Sequence, residues 1–232
     1  MHYDTFYNIE NIRNLYTQLL EYKSVGEHVD SQVETSSRIL SYSRVENMTS
    51  LVRKPAPKWK ATAVVQGRII ETNSEVYEGK YYVLMFYPYD FSFVCPTEIL
   101  ELNDAMAQFK KIDCEVLACS TDSYFSHHNW SQKPREMGGL GTPNIPLLAD
   151  FNKKMSRDFG VLDEEEGISL RGLFIISDKG IVRHASVNDV EVGRCVNEIH
   201  RLVVGFQYTD QHGEVCPASW EPGRKAIKPV LK

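Results

Sequence analysis

The spacing of apolar residues changes several times along this chain, and each change predicts an element. "KYYVLMFYP" (80–88) is apolar and aromatic with no polar alternation, which marks a strand buried on both faces. "PTEILELNDAMAQFKKI" (96–112) puts Ile99, Leu102, Met106 and Phe109 on one stripe of a helix. "CEVLACST" (114–121) is a second buried strand, and "SYFSHHNWSQKPRE" (123–136) a short helix. "GGLGTPNIPLLAD" turns into a third element, and a helix follows through "NKKMSRDFGV". "LRGLFIISDKGIVRHASVN" (170–188) is a hairpin of two apolar strands joined at Ser177-Asp178-Lys179-Gly180. "RCVNEIHRLVVGFQY" (194–208) is a helix with Cys195, Ile199, Leu202, Val203 and Phe206 facing inward.

The two ends lack this density. Ile9, Ile12, Tyr16, Leu19 and Leu20 have helical spacing, but a polar stretch follows them. Residues 1–52 are therefore expected to be an N-terminal extension, partly helical or poorly ordered. "RKPAPKW" (53–59) marks the entry to a compact domain over 53–208, because Pro55 and Pro57 prohibit a regular helix. The Gly- and Pro-containing tail, 209–232, reads as a C-terminal arm without period. The order β-α-β-α-β-α-β-β-α, its last strand pair antiparallel, describes an α/β domain with a mixed central sheet flanked by helices. That is the layout of a thioredoxin-like fold.

Composition narrows the function. A chain of 232 residues, 42% hydrophobic and 25% charged, suits one soluble domain with extensions. The net charge of −5, with Lys and Arg dispersed among acids, argues against a nucleic-acid partner. No run approaches the roughly 18 to 20 apolar residues of a membrane span. The N-terminus has no secretory pattern. Its acids count against a mitochondrial presequence despite Arg13, Arg38 and Arg44, so a cytoplasmic location is expected, with mitochondrial as the alternative. Five cysteines form no CxxC pair and no zinc-type spacing with the seven histidines, so neither metal nor cofactor is expected. The pair His127-His128 has no third ligand suggested nearby.

The candidate chemistry sits in "DFSFVCPTEIL" (90–100), where Cys95 precedes an amphipathic helix and Pro96 suits its first position. A thiolate at a helix N-terminus is favoured by exposed N–H groups and the dipole, which predicts a reactive nucleophile. A free cysteine is equally well read as a small buried hydrophobe. Local context leaves both readings open. Cys114, Cys119 and Cys195 occur in apolar periodic stretches and read as structural.

Five ordered segments, "FYPYDFSFVCPTEI", "GGLG", "GISLRGLFII", "VNDVEVGR" and "HGEVCPASWEPG", resemble the typical 2-Cys peroxiredoxins over about 54–229. The resemblance implies that Cys95 is the peroxidatic cysteine, attacking a hydroperoxide and becoming a sulfenic acid. It implies that Pro88 shields the thiolate and that Ser92 hydrogen-bonds the peroxide; most close relatives carry Thr there. Arg171 matches the active-site arginine, and Glu98 and Arg194 its supporting network. Cys216 matches the resolving cysteine, which forms a disulfide with the sulfenic acid of a dimer mate. Thioredoxin or an equivalent dithiol would then reduce that disulfide, and homodimers would assemble further into rings of five. The resemblance also permits a redox-regulated holdase or a peroxide-signalling relay. Relatives sensitive to over-oxidation combine GGLG with a C-terminal Tyr-Phe pair. Here Gly138-Gly139-Leu140-Gly141 is present but the chain ends "AIKPVLK", so resistance to sulfinic-acid inactivation is expected.

Overall fold

A computed structural model describes residues 50–229, and the predicted helix at 9–20 lies outside them. Seven strands make one mixed sheet: β1 (Lys60–Val65), β2 (Arg68–Asn73), β3 (Tyr81–Phe86), β4 (Cys114–Ser120), β5 (Leu147–Ala149), β8 (Arg171–Ile176) and β9 (Val182–Asn188). Their spatial order is β2-β1-β5-β4-β3-β8-β9, while β6 (Leu162–Asp163) and β7 (Ile168–Ser169) pair separately. β3 lies inside the sheet, parallel to β4 and antiparallel to β8. All six of its residues are buried. Val83 and Met85 enter one apolar cluster, and Tyr82, Leu84 and Phe86 enter another. That alternation is the two-residue period of a strand covered on both faces.

Helices α1 (Cys95–Asp104), α2 (Met106–Lys111) and α5 (Val196–His212) supply the first cluster with Ile99, Leu102, Met106, Phe109, Ile199 and Val203. Each such side chain contributes roughly 1.5–3 kcal/mol by leaving water. The single helix expected over 96–112 is broken at Ala105, yet its predicted stripe stays buried. On the other face Trp59, Phe159 and Val161 pack with Met155 of α4 (Lys154–Asp158). α3 (Tyr124–Gln132) ends near Trp130, a fully buried ring 6.0 Å from Tyr87 and 5.9 Å from Phe91. The Gly138–Gly141 turn passes close by: a Cβ on Gly139 would sit 2.0 Å from the Lys133 carbonyl oxygen, so only glycine fits.

Three features depart from the expected pattern. The β1–β2 hairpin was not predicted, although Gln66 and Gly67 form its two-residue turn with φ of 48° and 75°. α5 continues past Tyr208 to His212 and stops where Gly213 takes the left-handed conformation. The arm beyond it is packed rather than loose. Val215 and Ile227 exchange backbone hydrogen bonds of 2.9 Å, and Trp220 is buried with its ring 5.1 Å from Tyr208. Arg201 Nη1 donates to the Trp220 carbonyl at 2.9 Å. Gly and Pro remove periodicity from such a segment without preventing it from packing. No helix among the described residues is long and apolar enough to cross a membrane.

Candidate active site

β3 ends at Phe86, and residues 87–94 carry the chain to α1. Cys95 is the first residue of that helix, so Pro96 takes the second position rather than the first. Val94 precedes it with no side-chain cap. The thiol is fully buried in the first apolar cluster. Burial alone favours the packing reading, but the sulfur's polar neighbour does not. Pairing of Met85 with Leu173 sets the start of β8 beside the end of β3, and Arg171 opens β8. Its Nη1 lies 3.5 Å from Cys95 Sγ and donates to Glu98 Oε2 at 2.7 Å, while Nε donates to the Val190 carbonyl at 2.7 Å.

Glu98 follows Cys95 by three residues on α1 and is 3% exposed. Arg194, just before α5, donates to Glu98 Oε1 from its backbone N and its Nε, each at 2.7 Å, and from Nη2 to Oε2 at 2.8 Å. Its Nη1 is held by the carbonyls of Phe86 (2.8 Å) and Gly172 (2.7 Å). With Arg171, four donors meet the two carboxylate oxygens and fill about the four acceptor sites available. Burial pushes the Glu98 carboxyl up, and the bonds and charge of Arg194, aided by Arg171, outweigh it and hold the group below its ordinary value. Two buried guanidiniums and one carboxylate leave one positive charge over. A thiolate at Cys95 would balance it, and an uncompensated buried charge is costly.

Cys95, Glu98, Arg171 and Arg194 thus form one constellation. Pro88 is buried, and Ser92 Oγ donates to the Tyr89 carbonyl at 3.0 Å. Cys216 is placed elsewhere, its Sγ 3.7 Å from the Gly205 carbonyl of α5, in a cleft of about 560 Å³ lined by Arg183, Arg201, Leu202 and Phe206. Burial pushes its thiol up, with the Arg201 charge acting in the opposite sense. Both cysteines are free thiols. Cys114 and Cys119 are buried as expected, and burial pushes both thiols up. Cys195 is not inward-facing: it is exposed, because it occupies the N-cap of α5 rather than a position on the buried stripe. Sequence reading also gave no role to Asp90 and found none for His127, yet the two meet in a buried contact beside the loop that leads to Cys95.

Residues 52–185 match the AhpC/TSA family, and 205–230 match the C-terminal domain of 1-Cys peroxiredoxin. The chain is 58% identical to bovine peroxiredoxin-2 over 178 residues, covering 77% of this chain and 89% of the bovine protein. It is 57% identical to peroxiredoxin 2 of Drosophila melanogaster over 176 residues, 76% of this chain and 91% of that one. Among solved structures, the reduced 2-Cys peroxiredoxin of Plasmodium vivax superposes with a TM-score of 0.75 at 40% identity, covering 77% of this chain and 93% of its own. Enterococcus faecalis AhpC does so with a TM-score of 0.69 at 34% identity, covering 73% and 100%.

Proposed function

The chain belongs to the AhpC/TSA family of peroxiredoxins, and from that premise we propose that it is a thiol peroxidase acting on hydrogen peroxide and organic hydroperoxides. The observation that carries the reading is the Arg171 guanidinium 3.5 Å from a buried Cys95 sulfur, in a cluster short of one negative charge. The Cys95 thiolate attacks one peroxide oxygen, the O–O bond breaks, and its electron pair leaves with the second oxygen. That oxygen takes up a proton and departs as water or alcohol, and Cys95 is left as a sulfenic acid. Arg171 stabilises the negative charge at sulfur and on the reacting oxygens. Arg194 and Glu98 act through Arg171 by fixing its position. The Ser92 hydroxyl donates a hydrogen bond to the Tyr89 carbonyl, which leaves the lone pairs of its oxygen free to accept from a peroxide O–H. Buried Pro88 keeps bulk water from the thiolate.

The Cys216 thiol of a second copy then displaces hydroxide from the sulfenic sulfur, giving an intersubunit disulfide and water. A dithiol such as thioredoxin returns both sulfurs to thiols with two electrons. The cycle calls for a homodimer; membership of the family supports further assembly into a ring of five dimers, and a cytoplasmic location, with mitochondrial as the alternative, suits a thiol cycle. The similarities support the peroxidase and give the holdase and relay readings no separate support. The test is peroxide consumption with thioredoxin, its reductase and NADPH. Cys95→Ser abolishes turnover, and Cys216→Ser removes the dimer-sized band from non-reducing gels after one equivalent of peroxide. Turnover that survives Cys95→Ser defeats the proposal.

A further inference from the structure

The clamp beside the active-site loop rests on the peroxidase reading and adds a residue to it. His127 on α3 is fully buried, and both ring nitrogens face oxygen atoms. Nε2 lies 3.1 Å from the Leu148 carbonyl on β5, which can only accept, so Nε2 carries a proton. Nδ1 lies 2.9 Å from Oδ2 and 3.1 Å from Oδ1 of Asp90. A carboxylate also only accepts, so a bare Nδ1 lone pair would oppose it. A second proton must lie between them, written either as imidazolium and carboxylate or as imidazole and carboxylic acid.

Neighbouring elements complete the surroundings. The Tyr87 hydroxyl donates to Asp90 Oδ1 at 2.8 Å and lies 3.4 Å from Nδ1. The Asp90 backbone N donates to Asp122 Oδ2 at 2.9 Å, and that oxygen also accepts from Ser120 Oγ at 2.8 Å. Asp90 sits midway between Pro88 and Ser92. The loop is therefore tied at its midpoint to α3, to the segment after β4 and, through the far ring nitrogen, to β5.

We propose that His127 is a positioning residue for the peroxide reaction: the proton it shares with Asp90 clamps the loop carrying Pro88 and Ser92 against the sheet. Without the clamp, Asp90 is left buried with a lost partner, and the loop relaxes toward water. Two variants in a Cys216→Ser background test this. His127→Leu keeps bulk but has no nitrogen. His127→Asn keeps one donor that can face Asp90. Single-turnover oxidation of Cys95 by hydrogen peroxide is measured well below each variant's melting temperature, where lost stability alone leaves the rate unchanged. The expected result is a loss of about tenfold in His127→Leu and of under about threefold in His127→Asn. In the unsubstituted chain, proton NMR should show a strongly deshielded, exchange-protected proton shared between His127 Nδ1 and Asp90.

A folded His127→Leu variant with unchanged rate overturns the proposal. Equal losses in both variants also overturn it, since ring shape rather than donation would then matter. Should His127→Leu not fold, His127→Asn and the NMR signal decide, and absence of the deshielded proton overturns it. The peroxidase reading fails separately, if the unsubstituted chain shows that proton but consumes no peroxide.

Discussion

Removing the Arg171 guanidinium tests the charge argument most directly. In Arg171→Met, Glu98 and Arg194 neutralise one another, and nothing in the constellation balances a thiolate. Opposite charges 3.5 Å apart attract by about 5 kcal/mol at an effective dielectric of about 20. Desolvation of both groups offsets part of this, and charge-assisted hydrogen bonds net about 1.5–3 kcal/mol. That range predicts a fall of about tenfold to a hundredfold in the second-order rate with peroxide. Stopped-flow mixing of the reduced Cys216→Ser protein with hydrogen peroxide, quenched and assayed for remaining oxidant, measures the rate without the resolving step. Arg171→Lys keeps the charge but loses the fork that reaches Val190, Glu98 and Cys95 together, so its rate should fall between the two. An Arg171→Met protein that folds and reacts within about twofold of the parent would refute the reasoning.

Further outcomes follow from the same contacts. Trp220→Ala should release the arm, since large-to-small changes of a buried aromatic cost about 3–5 kcal/mol, with hydrogen-exchange protection lost at Val215 and Ile227 and faster intersubunit disulfide formation. The Glu98 carboxyl is held below its unfolded value, so its contribution to stability is complete above that value and disappears as pH falls through the folded one. Acid denaturation should therefore weaken the parent below about pH 4.5 and leave Glu98→Gln, less stable at neutral pH, with a flatter acid limb.

Much of the scaffold was legible because its signals are local. The unbroken apolar run at 80–88 and the stripe from Ile99 to Phe109 state their burial in their own spacing. The β1–β2 hairpin is equally local: its signal is "QG" between two β-rich runs. Cys195 was misplaced because helical periodicity was extended one residue beyond the helix, into its cap. The constellation is different in kind. Residues 73 and 96 positions apart meet through Arg171–Glu98 and Arg194–Glu98 bonds, which no window of sequence contains. Only the resemblance of ordered motifs pointed to them. The Asp90–His127 contact has no such guide: a histidine pair by itself suggests only a metal ligand, and the partner of His127 lies 37 positions away.

The three indoles are all sheltered from solvent, yet each reports from a different place. Trp130 lies under the loop before Cys95, Trp220 pins the arm bearing Cys216, and Trp59 belongs to the opposite face of the sheet. Emission from the intact chain is therefore a composite of three separate environments. Kinetic phases seen by ultraviolet excitation gain a location only once Trp130 or Trp220 has been silenced.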